Sequence, residues 1–485
     1  MRISYGTSTR DSTLPAAEAS IWSGQKWQVT AWSRAPHFLT SIPRASSRSR
    51  ASPAMMQLLQ DLIRFDTTNP PGNERACLEY IQALLSEAGC QATLLGVTPE
   101  RPNLITRFKG QGNAPPLLLY GHIDVVTTDK QEWEHPPFGG ELIDGYIWGR
   151  GAVDMKGGIV MMLTALLRAK QENLPLPGDV ILALVSDEEA GGDYGARFLV
   201  EQHPDLFADV RYAIGEFGGF SFHIGGKRFY PIMVAEKQVC HLRALVRGPG
   251  GHGSLQWRGG AMARLSRLLQ QLDTHSLPAH VTPVTRQMFQ TISSHLSFPG
   301  NLVLRQLLNP RLTNGVLKLL GHRGTPFDPL FHHTVNATMV QGGEKANVIP
   351  SEIVVELDGR LLPGFSPEDL IAELQGLVGP EVELEVLQYD PGPPEPDMGL
   401  FDLLSDILRL ADPAGLPVPM LLPGTTDGRL FANLGIQTYG FLPMPLPADF
   451  NFSTTVHGAN ERIPVAALDF GSEAIYQLLR RFGEG

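Results

Sequence analysis

The chain has 485 residues, 42% of them apolar and 18% charged, the composition of a soluble globular protein long enough to build two cores. Its net charge of −11 argues against nucleic acid as the main partner, because phosphate binding needs a basic face. No apolar run approaches the roughly 18 residues of a membrane span. Cys77, Cys90 and Cys240 are too few and too irregularly spaced for a disulfide framework or a cysteine-based zinc site. A reducing, cytoplasmic setting is therefore expected.

Residues 1–52 carry seven Lys and Arg against Asp11 and Glu18, and are rich in Ser and Thr. An Arg- and Ser-rich, acid-poor start has the make-up of a transit peptide. From Met56, however, Met-Gln-Leu-Leu-Gln-Asp-Leu-Ile-Arg-Phe reads at once as an amphipathic helix. Residues 1–54 are accordingly expected to be a non-core extension that precedes the true start at Met55 or Met56, the reading favoured over a transit peptide.

Helix and strand then alternate, the pattern of a mostly parallel sheet covered by helices. Glu74–Ala88 is helical, and Leu104–Phe108 and Leu117–Tyr120 are strands. Gly157–Ala169 is apolar nearly all round and reads as a buried helix. Strands recur at Val180–Val185 and Tyr212–Gly215. Near residue 237 the rhythm changes to strand Val239–Val246, helix Gly260–Leu272, strands Thr334–Val340 and Ile353–Leu361, helix Pro367–Val378 and strand Val382–Gln388. That β-α-β-β-α-β order predicts an inserted ferredoxin-like α+β domain over 237–391. It splits an α/β domain into 55–236 and 392–485. Residues 281–330 interrupt the small domain with five basic residues and one acid, Asp328. Leu304, Leu307 and Leu308, then Val316, Leu319 and Leu320, recur at helical spacing, giving two short apolar faces. An extra helical layer over the sheet, or a flap or lipid-facing surface, would account for them.

In open α/β sheets ligands bind beyond the carboxyl ends of the strands. The strand Pro115–Tyr120 delivers Gly121-His122-Ile123-Asp124 to that edge, and Val180–Val185 delivers Ser186-Asp187-Glu188-Glu189. Adjacent buried acids repel one another unless a cation or a proton relieves them. His122 is the natural ligand, with Asp124 fixing its tautomer. Asp154 precedes the buried helix, Glu216 ends Tyr212-Ala-Ile-Gly-Glu, and His457 lies in a loop before the last helix. Zinc and similar ions take such nitrogen and oxygen ligands and keep one position open for water when catalytic. One of the Glu188–Glu189 pair can ligate while the other faces that vacancy. Five ligands for two ions require one to bridge, and the unmatched carboxylate becomes the general base.

Gly121-His-Ile-Asp124, Gly149-Arg-Gly-Ala-Val-Asp154-Met-Lys-Gly-Gly, Ser186-Asp-Glu-Glu-Ala-Gly-Gly and His457-Gly-Ala-Asn-Glu resemble the dizinc metallopeptidase family of acetylornithine deacetylase, succinyl-diaminopimelate desuccinylase, aminoacylase and glutamate carboxypeptidase. The resemblance runs from about residue 56 to 483. It implies two Zn2+ ions, with Co2+ or Mn2+ as alternatives. Asp154 would bridge, His122 and Glu216 would hold one ion, and Glu189 and His457 the other. Glu188 would be the general base and Asp124 the histidine-orienting acid, with the small domain acting as a lid. From that lid, His252 would contact the scissile carbonyl, often across a dimer, and Arg360 would clamp a substrate carboxylate. Asn336 and the loop containing Gly424 and Thr425 are further substrate contacts. The implied reaction is hydrolysis of an amide in an N-acyl amino acid or short peptide by a metal-bound water that Glu188 activates. A dipeptidase or an N-fatty-acyl amino acid hydrolase is the alternative, and a non-catalytic metal-binding scaffold a remote one. The substrate is a small molecule, and a homodimer through the lid is expected. The 281–330 insertion departs from the shorter family members.

Overall fold

The computed structural model describes residues 52–484, so the expectation for residues 1–51 lies outside them. The first helix, Pro53–Arg64, starts earlier than its periodicity suggested. Ser52 caps it, its Oγ accepting from the Ala54 N–H, and Ala54 and Met55 are buried. A boundary at residue 54 therefore falls inside the first turn of this helix.

The helix Lys156–Gln171 is buried at thirteen of its sixteen positions. This fits its nearly all-apolar sequence, since a helix without a polar face must be covered all round. It packs beside a sheet whose strands lie in the order Ala92–Gly96, Pro102–Phe108, Val180–Val185, Leu117–His122, Tyr212–Gly215, Gln437–Gly440, Lys227–Glu236 and Gly415–Leu422. The four central strands, from Val180–Val185 to Gln437–Gly440, are mutually parallel. Antiparallel pairing flanks them on both sides. Val180–Val185 and Leu117–His122 are buried at every residue, as strands covered on both faces must be. Because the centre is parallel, His122, Ser186 and Glu216 all leave the sheet at one edge.

By contact density the described residues form two compact units. One comprises 235–396 with 421–425, and the other holds the remainder. The smaller unit contains an antiparallel sheet in the order Thr334–Gln341, Glu352–Leu361, Gln238–Arg247 and Glu383–Asp390. Numbered along the chain this is 2-3-1-4, and with helices Ala261–Thr274 and Pro367–Val378 it is the ferredoxin-like arrangement. One face of the sheet, carrying Cys240, Leu242, Ala244, Val246, Ile353, Val355 and Leu357, packs with Leu268, Leu370 and Leu374 of the helices. Alternation then puts Val239, His241, Asp358 and Arg360 on the other face.

The 281–330 segment folds as helices Pro283–Ser294, Gly300–Gln306 and Pro310–Leu320. The first of its expected apolar faces is used inward, with Leu304 and Leu307 buried. The second is not, because Leu319 is 79% exposed. Among the described residues no helix is long and apolar enough to cross a membrane.

Candidate metal centre

His122 ends its strand fully enclosed. Its Nδ1 lies 2.9 Å from the Asp124 carbonyl, a contact in which the ring donates, so the Nε2 lone pair is left free. That Nε2 sits 3.0 Å from Asp154 Oδ1 and 3.2 Å from Glu216 Oε2. On the far side of Asp154, His457 Nε2 lies 3.1 Å from Asp154 Oδ2 and 3.1 Å from Glu189 Oε2. Asp154 thus offers one oxygen to each of two trios. Ligand atoms around a tetrahedral zinc-like ion stand roughly 3.3 Å apart, close to these separations. Glu189 Oε1 and Glu216 Oε1 are buried without a hydrogen-bond partner, which leaves acceptor capacity pointing into the cluster. The donor set and the orphaned oxygens fit two divalent ions.

Glu188 belongs to neither trio, yet its carboxylate groups closely with His122 and Glu189. Burial and the charges of Glu216, Asp427 and Glu189, opposed by His122, hold its pKa well above the usual carboxylate range. Burial first, and then Asp154 and Glu189, push Glu216 up to about 8 against the pull of His122. Hydrogen bonds to Asp154 and Glu189 raise His457 to about 10. Asp154 itself is lowered, because His122 and His457 outweigh its burial. So many carboxylates in one enclosed space are an environment suited to cations.

The Asp124 backbone carbonyl, not its carboxylate, makes the hydrogen bond to His122. The carboxylate Oδ1 lies 3.6 Å from Nδ1, and the carboxylate oxygens accept from Asn69 Nδ2 (2.8 Å) and from the backbone N–H groups of Glu188 (3.2 Å) and Glu189 (3.1 Å). The carboxylate therefore anchors the turn that presents the glutamate pair. Asp187 enters that turn at φ 72°, and His457 sits at φ 60°. Both are left-handed values that side chains adopt only when their surroundings impose them. For Asp187 those surroundings are Arg101 (2.9 Å), itself paired with Glu74, together with Asn69 and the Tyr194 N–H.

Sequence reasoning singled out none of three further residues here, although Asp427 falls in the loop Pro423–Arg429 expected to contact substrate. Glu461, wholly buried, accepts from Arg150 Nη1 (2.7 Å) and from the N–H groups of Gly151, Val153 and Asp154. It fixes the loop that carries Asp154, the residue common to both trios. The stretch His457-Gly-Ala-Asn-Glu461 contained it, but a carboxylate aimed at backbone amides leaves no spacing signal. Asn69 and Asp427 are the others. Both oxygens of buried Asp427 lack partners, and burial above all pushes its pKa to about 6.

In the smaller unit, the face of the sheet turned away from the helices carries Arg360. Its Nε and Nη2 hold Asp358 (2.7 and 3.1 Å), and Nη1 donates to Thr425 Oγ1 at 2.9 Å. Asn336 stands opposite Asp358 on the edge strand, and Lys237 Nζ donates to Thr334 Oγ1 at 3.2 Å. Gly424 is exposed. Exposed His252 lies on a two-residue ribbon with Val348–Ile349, its Nδ1 2.7 Å from Ser254 Oγ. Arg360 thus has a carboxylate of its own, a partner the sequence did not reveal. A further grouping, His280, His333 and Glu373, is a poor ligand set. The Leu362 N–H donates to His333 Nδ1, which places that ring's proton on Nε2, the atom facing Glu373.

The sequence matches the profile of peptidase family M20/M25/M40 over residues 118–481. It is 30% identical over 376 residues to the mouse N-fatty-acyl-amino acid synthase/hydrolase PM20D1, covering 74% of this chain and 73% of that protein. It is 26% identical to pig aminoacylase-1, covering 87% and 93%. The fold is similar to the M20 family metallo-carboxypeptidase Sso-CP2 from Sulfolobus solfataricus, with a TM-score of 0.64 at 16% identity over 88% of this chain and 99% of that one. It is also similar to a dinuclear metal-binding M20 peptidase of Bacillus subtilis, with a TM-score of 0.53 at 16% identity, covering 89% and 98%.

Proposed function

Because the chain belongs to peptidase family M20/M25/M40 and is a metal-dependent hydrolase, we propose that it cleaves the amide bond of an N-acyl amino acid or short peptide bearing a free carboxylate. The observation that carries this reading is Asp154, with one oxygen in each trio. His122, Asp154 and Glu216 would hold one ion, and Asp154, Glu189 and His457 the other, with zinc favoured over cobalt or manganese by the histidine–carboxylate donors. Bound there, the ions supply Lewis acidity and make water acidic at neutral pH. Glu188, the buried carboxylate outside both trios, takes the proton from the attacking water and returns it to the leaving nitrogen. His252 donates to the carbonyl oxygen as negative charge develops. Arg360 receives the substrate carboxylate in place of Asp358, and planar guanidinium suits that bidentate exchange. Asn336, Gly424 and Thr425 complete the contacts.

One observation favours the N-fatty-acyl version of this reaction, the similarity to PM20D1. The space beside Asp154 and Glu216 is walled by Phe217, Phe220, Leu442, Met444, Phe452 and Val456, an apolar lining that holds no more than a water-sized group as it stands, so it fits the start of an acyl chain and not its length.

A homodimer through the smaller unit is part of the proposal. The strand Thr334–Gln341 is a sheet edge exposed from Asn336 onward, with Met339 and Val340 half exposed. An edge of this kind is a template for pairing with another chain, and the insertion leaves it uncovered. Unpaired cysteines agree with a cytoplasmic setting.

The test is a panel assayed with the metal-reconstituted protein: acetyl and long-chain acyl amino acids, dipeptides, and each substrate with its carboxylate converted to an amide. Long-chain acyl amino acids should be cleaved best, and their amides at least tenfold more slowly. Equal rates on acid and amide would overturn the carboxylate requirement, and a preference for acetyl would overturn the fatty-acyl version.

A further inference from the structure

The helix Pro310–Leu320 turns Thr313 and Leu317 inward, and these satisfy its packing. Yet Leu312 (44% exposed) and Leu319 (79% exposed) stand seven residues apart on a second stripe, with half-buried Val316 between them. At 100° per residue that stripe lies about 100° round the helix from the inward face. On its other flank come Arg311 and Lys318, also seven apart and both exposed. The preceding helix repeats the design in miniature. Leu304 is buried, while Leu302 (51% exposed) faces outward beside exposed Arg305, and Phe298 ahead of it is 78% exposed.

From His295 to Phe327 the chain has four Arg and Lys residues and no Asp or Glu, in a protein whose net charge is −11. A helix with apolar residues on one stripe and basic residues beside it, lying flat on the surface, is the form that binds at a lipid–water boundary. Basic side chains there are attracted to anionic headgroups, while the acidic remainder of the molecule is repelled. The charge pattern therefore favours this face over the acidic ones.

We propose that Phe298, Leu302, Leu312 and Leu319, flanked by Arg305, Arg311, Lys318 and Arg323, form a docking surface for an anionic lipid bilayer. The surface is independent of the metal centre, and its test reads binding rather than catalysis.

The full-length protein is floated with vesicles of phosphatidylcholine alone and of phosphatidylcholine mixed with phosphatidylglycerol. Wild type should bind the anionic vesicles, the neutral ones at least tenfold less, and binding should fall as salt is raised. Arg311→Gln with Lys318→Gln should lower the partition coefficient at least tenfold. Leu312→Glu with Leu319→Glu should do the same. These positions are solvent-exposed, so hydrolysis of a short water-soluble substrate should stay unchanged. Equal binding to both vesicle types, or unchanged binding by the double variants, would overturn the proposal. So would wild type that ignores vesicles but self-associates in sedimentation and becomes monomeric with Leu312→Glu and Leu319→Glu, since that face would then be a contact between copies of this chain.

Discussion

A single carboxylate, Asp154, gives its two oxygens to different histidines, while Glu188 touches the same space without joining either trio. The two residues should therefore fail differently. Asp154→Ala is expected to abolish activity and to drop metal content well below two ions per chain. Glu188→Ala is expected to keep both ions while losing about 10²–10⁴-fold in rate, the usual contribution of a general base. Metal analysis alongside turnover separates the outcomes, and loss of metal from Glu188→Ala with retention in Glu189→Ala would mean the pair is reversed. At this scale the sequence was most legible where side chains converge on the proposed metal centre. His122, Asp124, Asp154, Glu188, Glu189, Glu216 and His457 all stand at strand ends or in flanking loops, and the structure brings them together. It was least legible where a side chain serves the backbone. Glu461 and Asn69 hold N–H groups and other carboxylates, work that requires no motif.

The strands and helices that announced themselves were those with an unbroken hydrophobic rule. Val180–Val185, Tyr212–Gly215 and Pro367–Val378 begin and end where their patterns do. Lys227–Glu236 did not register, because its Pro231 reads as a strand breaker. It is nevertheless a ten-residue strand in the sheet. Just beyond it stands Lys237, with no exposed surface. Burial, chiefly, with Arg360 adding to it, depresses this lysine to about 7, against 10.5 in an unfolded chain. Between those two values the unfolded state binds the additional proton, so stability rises with pH through that window. Below about 7 the penalty is complete, on the order of 5 kcal/mol. Lys237→Met should accordingly stabilise the fold much more at pH 6 than at pH 10, measured by denaturant unfolding at each. Equal effects at both would show that the lysine is charged and solvated in the folded protein.

For the molecule as a whole, the proposed metal centre belongs to the larger compact unit, and His252, Asn336 and Arg360, the proposed substrate contacts, belong to the smaller one. The assignment of His252 can be resolved by complementation. If His252 serves the metal centre of a partner, mixing Glu188→Ala with His252→Ala subunits should restore part of the activity. Mixed dimers shown by differential tags to form, yet without activity, would confine His252 to its own subunit. The embedded position of the smaller unit was readable from the change of rhythm near residue 237, since local order suffices to define a β-α-β-β-α-β set. That Arg360 carries Asp358 was not, because both lie on one strand with its alternation and pairing silent about side-chain ends.

The chain order of the proposed ligands bears on when both trios can be complete during synthesis. His122, Asp154 and Glu216 emerge within one early stretch, whereas His457 and the Glu461 that braces Asp154 come near the end. His457 follows Glu216 by 241 positions of chain (457 minus 216), with the whole smaller unit in between. At ribosomal speeds that is a delay of roughly 10–50 s, during which a nascent chain can possess one trio but never both. Under the proposed ligand set the second trio is therefore completed only by a nearly finished polypeptide, and a chain ending before residue 457 would lack both His457 and the Glu461 that braces Asp154.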